Sequence, residues 1–486
     1  MQLSNQKLFR EQAYIGGEWV SADSGATFPV VNPSNGETIA KVARCGQVET
    51  RRAIDAAAEA WPAWRAKTAK ERAQIMRKFF DLIMENQRDL AMIMTLEQGK
   101  PLQESMGEVA YGASFVEWFG EEGKRVYGDV IPQHKADSRI VVTKEPIGVT
   151  AGITPWNFPI AMITRKASPA LAAGCPMVIK PAEATPLSAL ALCVLAEEAG
   201  IPKGVLSVVT GDRDQSAEIG GEMTSNPTVR KIGFTGSTAV GKLLMRQASD
   251  TVKKVSLELG GNAPFIVFDD ADIESALPGA IACKFRNAGQ TCVCANRILV
   301  QDGIYDKFVD RLKSEVAKMK VGDGLQDGVT IGPLIDERAI KKVTELVGGA
   351  KSAGAKASLG GDPHELGGNF FSPTVLEGVD QDMEIANNEI FGPVAPIIRF
   401  KDEADAIRIA NDTPYGLAAY FYARDVGRVW RVAEGLEYGM VGINTGILST
   451  EVAPFGGVKE SGIGREGSKY GIEEWMEIKY LCMGDI

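Results

Sequence analysis

A cysteine in a polar, glycine-containing loop is the residue with the clearest chemical potential in this sequence. Cys292 lies in the stretch Arg286–Arg297, directly before the apolar run Ile298–Val300. A thiolate nucleophile needs a lowered pKa, which the loop amides and the Arg286 charge are placed to provide. Because free cysteine is also among the most buried residue types, the loop alone leaves both a nucleophile and a packing residue open.

The elements that must hold this loop come from an alternation of strands and helices in the middle of the chain. Short apolar runs separated by helical segments are typical of a parallel sheet. The pattern predicts a run of strands, each followed by a polar or glycine-rich turn. These strands are 148–153, 176–180, 205–209, 231–236, 264–268, 393–398 and 441–444.

Two of the predicted helices begin with capping residues. Thr185 stands before Pro186, which suits the first helical position, and Ser237 caps the helix that follows the strand ending at Gly236. A strand, a glycine turn and a helix N-terminus together form a geometry suited to a phosphate. The G-x-G-x-x-G pattern is absent, so this signal is weak by itself.

The amino-terminal part of the chain is predicted to be mainly helical after short extended pieces over 15–40. Apolar residues at helical spacing run from Val48 to about Glu97, and Pro62 is expected to break the first helix. A third amphipathic helix covers about 102–123.

Two segments of alternating pattern predict a β-hairpin arm. They are 125–131 and 139–143, with a polar turn between them. The weakly alternating tail 474–481 is a candidate third strand. Because exposed sheet edges favour pairing with another chain, the arm predicts a homodimer or homotetramer.

Composition and charge exclude several classes of partner. The 486 residues carry a net charge of -10, which disfavours nucleic acid and anionic membranes. The seven cysteines show no regular framework, and no signal-like or transmembrane apolar run is present. We therefore expect two or three domains in a reducing cytoplasm. With only His134 and His364, a multi-histidine metal site is excluded, and no metal is predicted.

Seven short motifs, in order, resemble the NAD(P)-dependent aldehyde dehydrogenase superfamily. The resemblance covers nearly the whole chain. The motifs are Thr154-Pro155-Trp156-Asn157-Phe158-Pro159, Lys180-Pro181-Ala182-Glu183, Phe234-Thr235-Gly236-Ser237-Thr238, Leu257-Glu258-Leu259-Gly260-Gly261-Asn262, Gly289-Gln290-Thr291-Cys292, Glu389-Ile390-Phe391-Gly392-Pro393 and Pro454-Phe455-Gly456-Gly457.

The resemblance implies an α/β fold of three parts. A Rossmann-type parallel-sheet domain for the cofactor is expected over 1–124 and 147–258, and an α/β catalytic domain over 259–445. A small β oligomerisation arm with the C-terminal tail is expected over 125–146 and 446–486.

The resemblance also implies the site residues. Cys292 is the nucleophile that adds to the aldehyde, Asn157 and the Cys292 amide stabilise the oxyanion, and Glu258 is the base that activates water against the thioester. NAD, with NADP possible, is the implied cofactor. Its implied contacts are Ile153, Pro155, Trp156, Lys180, Glu183, Gly211, Phe234, Gly236, Ser237, Leu259, Glu389 and Phe391.

Within the superfamily, four further stretches resemble the succinate-semialdehyde dehydrogenases. They are Ile163-Thr164-Arg165-Lys166, Lys284-Phe285-Arg286-Asn287, Ser449 before Glu451-Val452-Ala453-Pro454, and the tail Glu477-Ile478-Lys479-Tyr480. This branch implies that Arg165, Arg286 and Ser449 clamp a carboxylate on a small aldehyde, since a guanidinium fork matches a carboxylate. Structural arginines are the alternative. Glutarate semialdehyde or another ω-oxo acid is an open substrate, and a cysteine-dependent acyltransferase or hydrolase is the alternative from a different class.

A second cysteine suggests a redox switch. If the loop is extended, Cys292 and Cys294 point to the same side, and Cys294 is a candidate resolving thiol in a reversible disulfide. Packing behind the loop is the equally open alternative. The similarity to succinate-semialdehyde dehydrogenases supports the switch.

Overall fold

The strands of the chain form four sheets. The computed structural model describes residues 3–486. In chain order its strands are β1 (Ala13–Ile15), β2 (Glu18–Val20), β3 (Thr27–Val31), β4 (Thr38–Ala43), β5 (Asp129–Ile131), β6 (Arg139–Pro146), β7 (Val149–Ile153), β8 (Met177–Lys180), β9 (Leu206–Val208), β10 (Val229–Thr235), β11 (Lys254–Glu258), β12 (Ala263–Val267), β13 (Ala295–Gln301), β14 (Lys356–Leu359), β15 (Thr374–Glu377), β16 (Val394–Phe400), β17 (Ala418–Tyr422), β18 (Met440–Ile443), β19 (Gly462–Ile463) and β20 (Met476–Met483).

Helices surround these sheets. They are α1 (Gln47–Ala66), α2 (Ala69–Glu85), α3 (Gln87–Gln98), α4 (Leu102–Glu122), α5 (Ala161–Ala173), α6 (Pro186–Ala199), α7 (Ser216–Ser225), α8 (Thr238–Ala248), α9 (Ile273–Phe285), α10 (Tyr305–Val316), α11 (Glu337–Ser352), α12 (Glu384–Asn387), α13 (Glu403–Asn411), α14 (Val426–Gly435) and α15 (Ser468–Glu473).

An eight-stranded sheet brings several sequence motifs to one edge. Its order is β19-β11-β10-β7-β8-β9-β1-β2, and the five strands from β11 to β9 are parallel. The predicted parallel sheet is therefore confirmed. Ile153, Lys180, Thr235 and Glu258 each end one of these strands. Because parallel strands end at the same edge, the motifs that follow them meet there, where open α/β sheets bind ligands.

A seven-stranded sheet carries the Cys292 loop. Its order is β14-β15-β16-β13-β12-β17-β18, and only β14 runs antiparallel to its neighbour. Cys292 lies just before β13, as the sequence predicts, and this strand is buried along nearly its whole length. The rigid central strand therefore fixes the loop in position.

The hairpin arm and the tail form a separate three-stranded sheet. β5 pairs antiparallel with β6, and β20 pairs antiparallel with β6 from Met476 opposite Pro146 to Met483 opposite Arg139. The predicted pairing of the tail with the arm is confirmed. The predicted start of the arm at 125 is wrong, because a short 3-10 turn precedes β5. The domain bounds stay a prediction, and β19 from the predicted tail joins the eight-stranded sheet.

Two local predictions fail for reasons of tertiary structure. Pro62 lies inside α1 instead of ending it, since the helix continues to bury Trp64 in the core. Thr185 precedes α6 but its hydroxyl makes no capping hydrogen bond. The Glu97 carboxylate caps this helix instead, accepting from the amides of Leu187 and Ser188 at 2.8 Å each.

Candidate active site

One cavity collects motifs from both large sheets. It has a volume of about 430 Å³ and lies between the carboxyl edge of the eight-stranded sheet, the Cys292 loop and the start of α11. The predicted site residues that line it are Pro155, Trp156, Asn157, Gly236, Ser237, Leu259, Cys292, Glu389 and Phe391. Residues that are far apart in sequence therefore share one space.

The sequence missed part of this lining. Thr235, Gly260 and Ile390 stand inside motifs already singled out, and Arg213 follows Gly211 closely. The start of α11 contributes the remaining residues, and no motif marks this amphipathic helix. They are Ile335, Asp336, Arg338, Ala339 and Lys342.

The remaining predicted site residues lie outside the lining of this cavity. They are Ile153, Arg165, Lys180, Glu183, Gly211, Phe234, Glu258, Arg286, Cys294 and Ser449. Three of them, Arg165, Glu258 and Arg286, change the pKa of Cys292 in the cavity through their charges. Ser449 lies half-buried on the loop after β18.

Cys292 is the half-buried thiol of the cavity. Burial raises its pKa to about 12, the Arg165 guanidinium acts in the opposite direction, and the carboxylates of Glu389 and Glu258 add to the rise. The charges of Arg165 and Arg286 do lower this pKa, as expected of nearby cations, but the net shift in this geometry is upward. Desolvation outweighs the attraction of the cations, so the thiol needs a base to accept its proton.

Asn157 is a buried amide held from several sides. Its backbone oxygen accepts from Lys100 Nζ at 2.6 Å and from Asn287 Nδ2 at 2.9 Å. Its side-chain Nδ2 donates to the Gln290 carbonyl at 3.1 Å, which leaves the second N–H of this amide without a partner among the described residues. A fixed N–H donor in the cavity of the thiol is the arrangement that an oxyanion requires.

Glu258 is a buried carboxyl with one unsatisfied oxygen. It ends β11, and its Oε2 has no hydrogen-bond partner among residues 3–486. Burial and then the negative charge of Glu466 raise its pKa well above the usual range, while Arg165 and Lys166 oppose the rise. A carboxyl with a raised pKa in a site is suited to accept a proton near neutral pH.

The two predicted clamp arginines have different surroundings. Arg165 Nη2 lies 2.7 Å from Glu466 Oε2, and its guanidinium lies 3.9 Å from the centre of the Phe455 ring. The Arg286 guanidinium lies 5.4 Å from the centre of the Phe158 ring and forms no ion pair with the described residues. Arg286 therefore has no carboxylate within ion-pair distance, and its charge acts to lower the pKa of the buried Glu104 carboxyl.

The cofactor end of the cavity has a close-packed turn. A Cβ on Gly236 would lie 2.4 Å from the Phe234 ring, so a larger residue at this turn would require the ring to move. Ser237 caps α8 as predicted, with its Oγ accepting from the Val240 amide at 3.4 Å. The helix N-terminus and the glycine turn thus fit the pyrophosphate of a dinucleotide.

The other end of this cleft carries aromatic and acidic residues. The rings of Trp156 and Phe391 meet edge to face at 5.6 Å, and Phe391 has a positive φ of 57°. Glu389 Oε1 accepts from the Gly261 amide at 3.1 Å, and burial raises the pKa of Glu389 to about 7. A strained aromatic residue beside a buried carboxyl is typical of a built ligand site.

Lys180 and Glu183 lie close together at the end of β8. Lys180 Nζ is buried and donates to the Pro181 carbonyl at 3.1 Å, and Glu183 is partly exposed. Burial lowers the pKa of Lys180, and the charges of Glu183 and Asp212 act against this effect. A cation flanked by carboxylates is a site for ribose hydroxyls.

Cys294 lies in a turn and not in an extended loop. The Cys294 amide donates to the Thr291 carbonyl at 3.0 Å, which closes a turn around Cys292. The Cys294 thiol is buried and donates to the Lys284 carbonyl at 3.2 Å. The extended geometry assumed for a Cys292–Cys294 switch is therefore wrong, and the redox role itself stays a prediction.

Comparison with known proteins identifies the family. A model described as the aldehyde dehydrogenase family matches residues 19–481. The chain belongs to the aldehyde dehydrogenase family. This aldehyde dehydrogenase is 65% identical over 486 residues to the glutarate-semialdehyde dehydrogenase of Pseudomonas aeruginosa, with 100% of each chain covered.

Two further similarities are equally extensive. The dehydrogenase is 63% identical over 484 residues to the NADP(+) succinate-semialdehyde dehydrogenase of Escherichia coli, covering 100% of both chains. It matches the crystal structure of succinate-semialdehyde dehydrogenase from Burkholderia pseudomallei with a TM-score of 0.98, 62% identity and 100% coverage of both. It is thus an NAD(P)-dependent aldehyde dehydrogenase, which sets aside the acyltransferase or hydrolase alternative. Across residues 3–486, no helix combines the length and apolar character needed to cross a membrane.

Proposed function

We propose that this enzyme oxidises succinate semialdehyde (4-oxobutanoate) to succinate with NAD(P)+. The observation that carries the proposal is the Arg286 guanidinium, which has no ion-pair partner in the described chain and lies over Phe158, next to Asn157. A guanidinium that has no ion-pair partner and whose charge reaches the reacting thiol favours an aldehyde with a carboxylate at its far end. Relatives named for succinate and glutarate semialdehydes support the same class.

The first step is addition of the Cys292 sulfur to the aldehyde carbon. Because burial holds this thiol in its protonated form, its proton must pass to solvent as the sulfur attacks, which leaves the Glu258 carboxylate free for the later hydrolysis. The carbonyl oxygen becomes an oxyanion as the S–C bond forms. The free N–H of Asn157 and the Cys292 amide stabilise it, and one such donor is typically worth about 10²–10³ in rate.

The tetrahedral adduct then collapses to a thioester. When bound, the nicotinamide accepts the hydride that leaves the former aldehyde carbon. Glu258 next removes a proton from water, which attacks the thioester and releases the acid and the Cys292 thiol. General-base help of this kind typically contributes about 10²–10⁴ in rate. The residues that line the cleft, with Ser237 at one end and Phe391 at the other, would hold the cofactor.

Glutarate semialdehyde is the second candidate substrate. The relative that is 65% identical is a glutarate-semialdehyde dehydrogenase, and this substrate is one methylene longer. A single methylene discriminates substrates by only about 1–3 kcal/mol. The same clamp therefore suits both acids.

The exposed arm is the proposed oligomerisation surface. Val130 on β5, and Ile478 and Met483 on β20, are 81%, 73% and 60% exposed. Apolar side chains on a three-stranded sheet favour burial against a second copy of the chain. We propose a homodimer or a homotetramer that buries this surface.

Steady-state kinetics test the function directly. Formation of reduced cofactor, followed at 340 nm, should give a far higher kcat/KM for 4-oxobutanoate and 5-oxopentanoate than for uncharged butanal. The order of the two acids decides between the two candidate substrates. Equal kcat/KM values for butanal and both acids would contradict a carboxylate-specific enzyme.

A further inference from the structure

Tyr111 is a half-buried tyrosine with a buried hydroxyl. It lies on α4, and its hydroxyl oxygen has no hydrogen-bond partner among residues 3–486. Its ring meets Phe115 edge to face at 5.0 Å and packs against Phe158 and Met162. Because buried polar groups are nearly always hydrogen-bonded, an unpartnered hydroxyl calls for an external partner.

The two clamp arginines contact the same residues that surround Tyr111. The Arg165 guanidinium lies 5.8 Å from the centre of the Phe115 ring, and its Nη1 lies 3.9 Å from Met162 Sδ. The Arg286 guanidinium lies over Phe158. Both guanidinium groups thus contact side chains that also pack against the phenol.

The electrostatics of the phenol agree with this position. Burial, the largest effect, raises the pKa of Tyr111, whereas the charges of Arg165 and then Arg286 lower it. Cys292 also acts on the phenol through its charge when ionised. The hydroxyl therefore stays protonated at neutral pH and lies within electrostatic reach of both guanidinium groups and the nucleophile.

We propose that Tyr111 is a specificity-determining residue whose hydroxyl donates a hydrogen bond to the carboxylate of the ω-oxo acid. The proposal rests on the function proposed above. Arg165 is already paired with Glu466, so Arg286 alone neutralises the single negative charge of the substrate. A carboxylate has two oxygens with several lone pairs, and a neutral O–H donor completes its hydrogen bonding without adding charge.

A packing role for Tyr111 and a role in substrate binding predict different effects of removing its hydroxyl. A tyrosine that only fills space uses its ring and not its hydroxyl, so Tyr111→Phe would change neither substrate preference nor ligand affinity. A hydroxyl reserved for the substrate contributes nothing to folding when the partner is missing. Its removal would then weaken binding of the carboxylate while leaving the melting temperature unchanged or slightly higher.

The test compares Tyr111→Phe with wild type and with Tyr127→Phe, a matched change at an exposed position. KM for 4-oxobutanoate and the calorimetric Kd for succinate should rise about tenfold in Tyr111→Phe only, as expected for a lost hydrogen bond to a charged group. Its kcat should stay within about twofold, and its kcat/KM for butanal should not change.

Three outcomes would overturn the proposal. An unchanged succinate Kd in Tyr111→Phe, or an equal loss on 4-oxobutanoate and butanal, would show that the hydroxyl does not contact the carboxylate. In both cases a wild type that prefers the acids leaves the proposed function intact. A wild type without that preference overturns the proposed function and, with it, the role of Tyr111.

Discussion

Arg165 and Glu466 form a buried ion pair, with Nη2 of the arginine 2.7 Å from Oε2 of the carboxylate. Their side chains are 2% and 8% exposed. Lys166 Nζ contacts the other carboxylate oxygen at 2.6 Å. Glu466 thus neutralises one predicted clamp arginine, and its negative charge contributes to the raised pKa of Glu258. The pair thus links a proposed clamp residue to the proposed general base.

The two arginines should respond differently to substitution. Arg165→Ala removes one partner of a buried pair, which typically costs about 3–5 kcal/mol of unfolding free energy, and activity should fall on every aldehyde. Arg286→Ala should raise KM for 4-oxobutanoate by at least about tenfold and leave butanal kinetics and stability nearly unchanged. Thermal unfolding and kinetics on both aldehydes measure this, and identical behaviour of the two variants would contradict it.

Glu258 should set the acid side of the pH profile. A protonated carboxyl accepts no proton, so activity should fall as the pH drops through its raised pKa, above the usual value of about 4.3. Glu258→Gln should remove this limb and stall thioester hydrolysis after one burst of reduced cofactor. Profiles of kcat against pH and rapid-mixing bursts check both effects. Cys292→Ala, the control, should show no burst, and full turnover by Glu258→Gln would exclude it as the required base.

Glu183 should favour NAD over NADP. Its carboxylate lies near the Lys180 ammonium, where it suits ribose hydroxyls and repels a 2′-phosphate. Glu183→Ser should therefore lower the Kd for NADPH several-fold and raise that for NADH. Fluorescence titration of both reduced cofactors measures the shift, with the exposed Glu365→Ser as control. A wild type that binds NADPH more tightly than NADH would contradict this prediction.

Cys294 should behave as a packing residue under oxidation. Its thiol is buried and already donates to the Lys284 carbonyl. Residues 291–294 form a turn and not the extended loop that would put both thiols on the same side. After peroxide treatment, we expect wild type and Cys294→Ala to regain the same fraction of activity with dithiothreitol. Recovery of wild type alone would instead establish Cys294 as a resolving thiol.

Much of this enzyme follows from local sequence patterns. The alternation of apolar runs and helices predicts the parallel sheet, and the Ser237 cap after Gly236 predicts the phosphate-binding turn. The short motifs around Asn157, Glu258 and Cys292 identify the candidate chemistry in the right order. These features depend on residues within a few positions of one another, where backbone preference and hydrophobic period act directly.

The tertiary structure alone decides the pKa values of the site residues and the partners in their ion pairs and helix caps. The direction of the Cys292 pKa depends on burial by elements far away in the chain, and Arg165 meets Glu466 only after folding. Glu97 takes over the cap expected from Thr185 because α3 packs on α6. Desolvation and long-range contacts exist only when distant segments meet, so no local pattern in the sequence encodes them.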